Sequence, residues 1–109
     1  MEQDITKIDF SKGDNLVPVI VQDANTKEIL TLAYSNKESL ERALTSGNSW
    51  FWSRSRKKLW MKGEESGNTQ KIRKILVDCD SDALIYLVEP AGPACHTGEQ
   101  TCFHNSLKS

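Results

Sequence analysis

The segment Asp78-Cys79-Asp80-Ser81-Asp82 places three carboxylates at every second residue, with a thiol between the first two. Alternate side chains of an extended chain share a face, so Asp78 and Asp80 are expected to project together and Cys79 the other way, with Asp82 joining the carboxylates as the strand enters its turn. Crowded carboxylates oppose one another's ionisation unless a cation compensates, and hard oxygen donors suit Mg²⁺. The competing reading is a solvated acidic turn. An EF-hand loop is excluded, because Asp82 is not followed by the Gly and distal Glu which that loop requires.

Three cysteines, Cys79, Cys95 and Cys102, form an odd count behind a start, Met1-Glu2-Gln3-Asp4, unlike a basic signal peptide, so free thiols or metal ligands are expected rather than a disulfide framework. By itself Cys79 reads as a small core residue. Cys95 and Cys102 bracket the compact polar run Cys95-His96-Thr97-Gly98-Glu99-Gln100-Thr101-Cys102, which offers no apolar packing reason for either sulfur. Soft thiolates favour zinc, and three of them without an obvious fourth ligand match a catalytic site with one open position. A closed structural site through Cys95, Cys102 and His104 is the alternative.

Arg54, Arg56, Lys57, Lys58 and Lys62 form the one dense positive stretch. Strand alternation would put Arg54 and Arg56 on one face, where guanidinium groups bind phosphate oxygens bidentately, whereas Lys57 and Lys58 read as a solvated rim. Trp50, Trp52 and Trp60 read as core, with stacking on a base as the alternative. The run Gly63-Glu64-Glu65-Ser66-Gly67-Asn68 could offer backbone amides to a phosphate, although it lacks the Walker pattern.

These residues need a scaffold. With 109 residues the chain has the size of a single domain with one core, and 38% hydrophobic against 27% charged residues is an ordinary globular balance. A net charge of −1 supplies no general attraction for nucleic acid or an anionic membrane, and no apolar run approaches membrane-spanning length, so a cytoplasmic protein is expected. Residues 1–15 read as a loosely held N-terminal arm. Val17-Pro18-Val19-Ile20-Val21 and residues 28–34 predict a hairpin turning at Asp23-Ala24-Asn25-Thr26. A helix is expected from Ser35, where Ser35-Asn36-Lys37-Glu38 has the capping-box form, with Leu40, Ala43 and Leu44 on one face and Gly47 ending it. A second, aromatic hairpin is expected over residues 49–53 and 58–62, and strands over 71–79 and 83–89, before Pro90-Ala91-Gly92-Pro93 breaks regular structure.

In their order and spacing, Trp52-Ser53-Arg54-Ser55-Arg56, Leu59-Trp60-Met61-Lys62-Gly63-Glu64, Ser66-Gly67-Asn68, residues 78–83, Gly92-Pro93-Ala94-Cys95-His96-Thr97-Gly98 and Cys102-Phe103-His104 closely resemble the phosphoribosyl-AMP cyclohydrolases of histidine biosynthesis, from about Leu16 to His104. The resemblance implies an α+β, mainly β fold: a small barrel-like antiparallel sheet capped by one main helix, in an intertwined homodimer with its active sites at the interface. Residues 1–109 would be a single cyclohydrolase domain, without the pyrophosphohydrolase domain fused to some family members. Cys79 would join Cys95 and Cys102 of the partner chain to bind Zn²⁺, while Asp78, Asp80 and Asp82 bind Mg²⁺. The implied reaction is hydrolytic opening of the adenine ring of 1-(5-phosphoribosyl)-AMP at N1–C6. The zinc would acidify water, and His96 is the candidate base. Arg54, Arg56 and Lys62, with amides near Ser66 and Gly67, would hold the phosphates. Rival readings are a zinc-stabilised nucleic-acid-binding module built on residues 54–58 and the tryptophans, and a deaminase that breaks the exocyclic bond of an ordinary adenine nucleotide.

Overall fold

The structure is a computed structural model that describes residues 5–109; the signal-peptide reading of Met1 to Asp4 falls outside them. The β-branched run becomes β1 (Val17–Asp23), whose Val17, Val19, Val21 and Asp23 are buried while the residues between them are half-exposed. It pairs antiparallel with β2 (Ile29–Ser35), matching Val19 to Ala33. Asp23 shapes the turn by accepting from the amides of Asn25 (2.8 Å) and Thr26 (3.1 Å), so the predicted hairpin is present.

The helix α1 (Lys37–Ser46) starts one residue later than expected. Ser35 ends β2 opposite Val17, which holds its backbone in the sheet. The cap therefore falls to Asn36, whose Oδ1 accepts from the Ser39 amide (2.8 Å) while Ser39 Oγ accepts from the Asn36 amide (2.9 Å). Gly47 closes α1 at φ +77°, as expected of a left-handed C-cap. Leu40 and Ala43 are buried, but Leu44 is 56% exposed, so the apolar face is narrower than predicted.

The aromatic hairpin forms as β3 (Trp50–Ser53) and β4 (Lys58–Met61), with Phe51 opposite Trp60. Phe51, rather than any tryptophan, is its fully buried residue: its ring lies 5.8 Å from Tyr86 and 5.1 Å from Trp60. The tryptophans are only half-buried. The last strands are β5 (Gln70–Val77) and β6 (Leu84–Pro90).

The mainly β, α+β class with one α-helix holds among the described residues, but the barrel-like antiparallel sheet does not. β2, β1, β6 and β5 form a mixed sheet in that order, β1 and β6 run parallel, and β3–β4 is a separate two-stranded sheet. The physical reason is the long excursion through α1 and the aromatic hairpin. It returns the chain to the free edge of β1 in the same direction, and side-chain alternation carries no information about strand direction.

Val17, Val19, Val21, Leu30, Leu40, Phe51, Leu84, Tyr86 and Val88 form the core on one face of the mixed sheet. Across its other face the register sets Leu32, Ile20, Ile85 and Leu76 in one apolar row spanning all four strands. Leu32 and Leu76 remain 46% and 37% exposed. The described part of the N-terminal arm is not loose. It winds through short 3-10 turns at Ile5–Lys7 and Ser11–Gly13, buries Ile8, and donates the Asp9 amide to Ser81 O (2.7 Å).

Candidate metal-dependent active site

The three carboxylates do converge, but by a turn rather than by strand alternation. β5 ends at Val77, so residues 78–83 form the connection to β6, with Ser81 in the left-handed region at φ +63°. The Asp78 amide donates to Ala83 O (3.1 Å), and Asp78 Oδ1 accepts from the amides of Asp82 (2.9 Å) and Ala83 (3.3 Å). Asp78 thus shapes the loop while contributing charge to it. Oxygens of Asp78, Asp80 and Asp82 all lie within 4.8 Å of one another, the one such acidic or ligand-rich triplet among the described residues.

A cation already answers this charge. Lys12 Nζ stands 3.1 Å from Asp82 Oδ2 and 3.3 Å from Asp80 Oδ2, and its hydrogen bonds to Asp82 and Asp80 raise the Lys12 pKa. The position attracts positive charge and its donors are hard oxygens, so it fits a divalent cation. Sequence reasoning did not find Lys12, because nothing in residues 1–15 signals a partner 68 positions away.

Cys79 lies in the same turn and is exposed, not a core residue. The other two sulfurs lie beyond β6. Cys95 is buried, with neighbouring Ala94 part of the core, so one sulfur of this loop is packed after all. The loop is closed by Cys95 N donating to Glu99 O (3.1 Å) and Ala94 N to Gln100 O (3.3 Å). It is fastened to the start of β2, where Cys102 N donates to Leu30 O (2.7 Å) and Thr101 Oγ1 to Ile29 O (2.6 Å).

Thr97 Oγ1 donates to Cys95 Sγ at 3.0 Å. That bond, with the Thr97 amide and the nearby His104 and Cys102, lowers the Cys95 thiol from 9.0 to about 6, against the upward push of burial. A sulfur ionised at neutral pH beside a second sulfur fits a thiophilic metal. His104 Nε2 stands 3.9 Å from Cys95 Sγ, which keeps the alternative ligand set in view. His96 is exposed on the same loop. Thr97, bonded to the Cys95 sulfur, and Thr101, bonded to β2, are further residues of this loop that the spacing did not single out; a hydroxyl two residues after one cysteine and another just before the next were the available signals.

Topology separates the sulfurs. Cys79 precedes β6, and the 94–102 loop follows it and docks on Ile29 and Leu30, which lie at the far end of the sheet by the β1–β2 and β1–β6 registers. At about 3.3 Å per residue the two groups are roughly 20 Å apart in one chain.

The basic stretch is also a turn. Residues 54–57 connect β3 to β4, so Arg54 and Arg56 are not governed by strand alternation. Arg56 lines a cavity of about 310 Å³ with Ser55, Trp60, Glu64 and Ser66, whereas the Arg54 guanidinium lies 3.9 Å over the Tyr34 ring. Lys62 is half-buried, and its amide donates to Ser49 O (3.0 Å). Of the amides expected near Ser66 and Gly67, that of Gly67 is taken by Gly63 O (2.8 Å), and Ser66 Oγ accepts from the Asn68 amide (3.1 Å).

A hard-oxygen triplet and a loop carrying two sulfurs, on a small α+β scaffold, form the donor set of a metal-binding protein. The particular family follows from comparison: the family model described as phosphoribosyl-AMP cyclohydrolase matches residues 31–104. Among similar proteins, the phosphoribosyl-AMP cyclohydrolase of Nitrosopumilus maritimus is 75% identical over 99% of this chain and its whole length. That of Cenarchaeum symbiosum is 73% identical over 98% of this chain and 99% of its own. A Thermus thermophilus histidine biosynthesis bifunctional protein is 57% identical over 95% of this chain, which corresponds to 48% of that longer protein. The chain belongs to the phosphoribosyl-AMP cyclohydrolase family. No helix among the described residues is long and apolar enough to cross a membrane.

Proposed function

We propose that this chain is a cytoplasmic, single-domain enzyme that opens the adenine ring of 1-(5-phosphoribosyl)-AMP by hydrolysis at N1–C6. The product is the formimino-linked aminoimidazole carboxamide ribonucleotide, the third step of L-histidine biosynthesis. It works as a homodimer, with Zn²⁺ held by Cys95 and Cys102 of one subunit and Cys79 of the partner subunit, and with Mg²⁺ at Asp78, Asp80 and Asp82. The observation that carries this reading is the placement of the sulfurs. Ligands of one zinc sit about 2.3 Å from it, so thiolates at opposite ends of β6 cannot meet within one chain but can meet between two. The apolar row Leu32–Ile20–Ile85–Leu76 supplies a face for the second copy.

Bound at the thiolates, zinc supplies Lewis acidity that makes water a competent nucleophile at neutral pH. The chain's own residues do the rest. His96, next to a ligand and open to solvent, accepts the proton of the attacking water and returns one to the departing N1. Arg56 lines the cavity with Ser66, and Arg54 and Lys62 add positive charge for the two phosphate-bearing ends of the nucleotide. Asp78, Asp80 and Asp82 would hold a divalent cation, which would offset phosphate charge and help orient the nucleotide.

The test is turnover of 1-(5-phosphoribosyl)-AMP followed by absorbance, with metal content measured in parallel. Activity should vanish when zinc is stripped, return on adding Zn²⁺, and release no ammonia. Undiminished ring opening by folded, zinc-free dimer, or stoichiometric ammonia, overturns the proposal.

A further inference from the structure

The Lys12 ammonium lies where positive charge is wanted by the acidic turn, and it arrives there on a segment that is also fastened beside the turn through Asp9 and Ile8. Asp9 N donates to Ser81 O (2.7 Å), Ile8 is buried beside it, and the Ser11–Gly13 turn then delivers Lys12 Nζ to Asp82 and Asp80. Both contacts fall on carboxylates of the triplet, so an ammonium and a dication at this turn compete for the same two side chains. Resting on the reading of residues 78–82 as a divalent-cation site, we propose that Lys12 is a built-in counter-ion that the incoming cation must displace, so that occupancy of the acidic turn loosens the Ser11–Gly13 segment.

This arrangement has a use in a protein whose metal-free carboxylates would otherwise repel. Three formal negative charges become two while Lys12 is docked, which holds Asp80 and Asp82 convergent. A monovalent ion gains little by replacing an ammonium of equal charge, whereas a dication gains the additional charge. Lys12 thereby also biases the site against Na⁺ and K⁺. Two exposed ion pairs, each worth a factor of about 1.4 to 5, set the competition at roughly twofold to thirtyfold in cation affinity.

Mn²⁺ binding to full-length, substrate-free protein, read by electron paramagnetic resonance of free Mn²⁺, tests the first part. Lys12→Met should bind Mn²⁺ tighter by about twofold to thirtyfold, with the gain shrinking at high salt, and Lys12→Arg should stay near wild type. Asp80→Asn should weaken binding in either background. For the second part, hydrogen exchange at the Asp9 amide should speed up severalfold when Mn²⁺ saturates the wild-type protein and be fast with or without Mn²⁺ in Lys12→Met. Asp80-dependent Mn²⁺ binding that Lys12→Met leaves unchanged or weakens overturns the counter-ion role alone. Asp9 protection that Mn²⁺ leaves intact overturns the coupling. An absence of Asp80-dependent binding in every variant overturns the cation-site reading and this inference with it.

Discussion

Cys79→Ala and Cys95→Ala, inactive separately, should regain activity when refolded together. Each Cys79→Ala dimer lacks the sulfur of the β5–β6 turn at both sites, and each Cys95→Ala dimer lacks one from the 94–102 loop. Random pairing makes about half of the dimers mixed, and a mixed dimer has one full set of three sulfurs and one set missing two, so recovery should approach about a quarter of wild-type turnover. The structure supplies a control. Cys95 and Cys102 belong to one hydrogen-bonded loop, so a mixture of Cys95→Ala and Cys102→Ala never assembles a full set and should stay inactive. Cys79 and Cys102 are exposed, so their truncation leaves the core untouched; the Cys79→Ala and Cys102→Ala pair should reach the same quarter if loss of buried Cys95 disturbs its loop. Native mass spectrometry of a mass-tagged chain fixes the mixed fraction, and ring-opening absorbance gives the activity. No recovery from folded mixed dimers refutes the sharing. Full activity in Cys79→Ala alone refutes it too, and shifts the ligand set to Cys95, Cys102 and His104, already 3.9 Å from the Cys95 sulfur.

In metal-free protein the Cys95 thiolate should titrate at about pH 6, and Thr97→Val should move it back toward 9.0, read by thiolate ultraviolet absorbance. Because the folded pKa is depressed, the associated stabilisation is present above the ordinary thiol pKa and is lost as pH falls through about 6; Thr97→Val should flatten that dependence in pH-series denaturation. Tyr34→Leu, which removes the ring beneath Arg54, should raise KM about twofold to fivefold with kcat little changed, whereas Tyr34→Phe should behave as wild type. Phe51→Ala, at a position with 0% exposure between Trp60 and Tyr86, should cost about 3–5 kcal/mol in urea denaturation. Leu32→Asp should yield a folded monomer without turnover by sedimentation and assay, since it charges the apolar row without touching the core.

Where local chemistry decides the structure, the sequence could be read closely. The β-branched alternation of β1, the Asx turn at Asp23 and the glycine stop at Gly47 are each set by residues within a few positions. The helix start slipped by one residue because Ser35 and Asn36 can both cap, and a tertiary fact, the pairing of Ser35 with Val17, decided between them. The parallel alignment of β1 with β6 depends on a return across some sixty residues, which no local pattern encodes. At the site, spacing identified the acidic triplet, but for a reason the structure replaces. The strand stops at Val77, and a left-handed Ser81 with Asp78 capping gathers the carboxylates. Lys12, Tyr34 and Thr101 escaped notice because each acts on a partner distant in sequence, through one long side chain, one ring face or one hydroxyl.

The mixed sheet also explains how two loops at opposite ends of one strand could serve a common centre. β6 is flanked by β1 and β5, so neither end can swing far toward the other without breaking ladder bonds on both sides. Consider two copies stacked through the Leu32–Ile20–Ile85–Leu76 row about a two-fold axis that runs along the row. That axis reverses strand direction between the layers, so the turn preceding β6 in one subunit faces the loop following β6 in the other, and it does so twice. Stacked sheets stand about 10 Å apart, half the roughly 20 Å that separates the groups within a chain. The Cys95–Cys102 loop is fastened to Ile29 and Leu30 at the end of this same sheet. On this geometry the acidic turn, Cys79 and the partner's thiolate loop form one composite site. A break in the apolar row should therefore abolish zinc binding and turnover together, whereas a defect confined to one cysteine should spare the dimer.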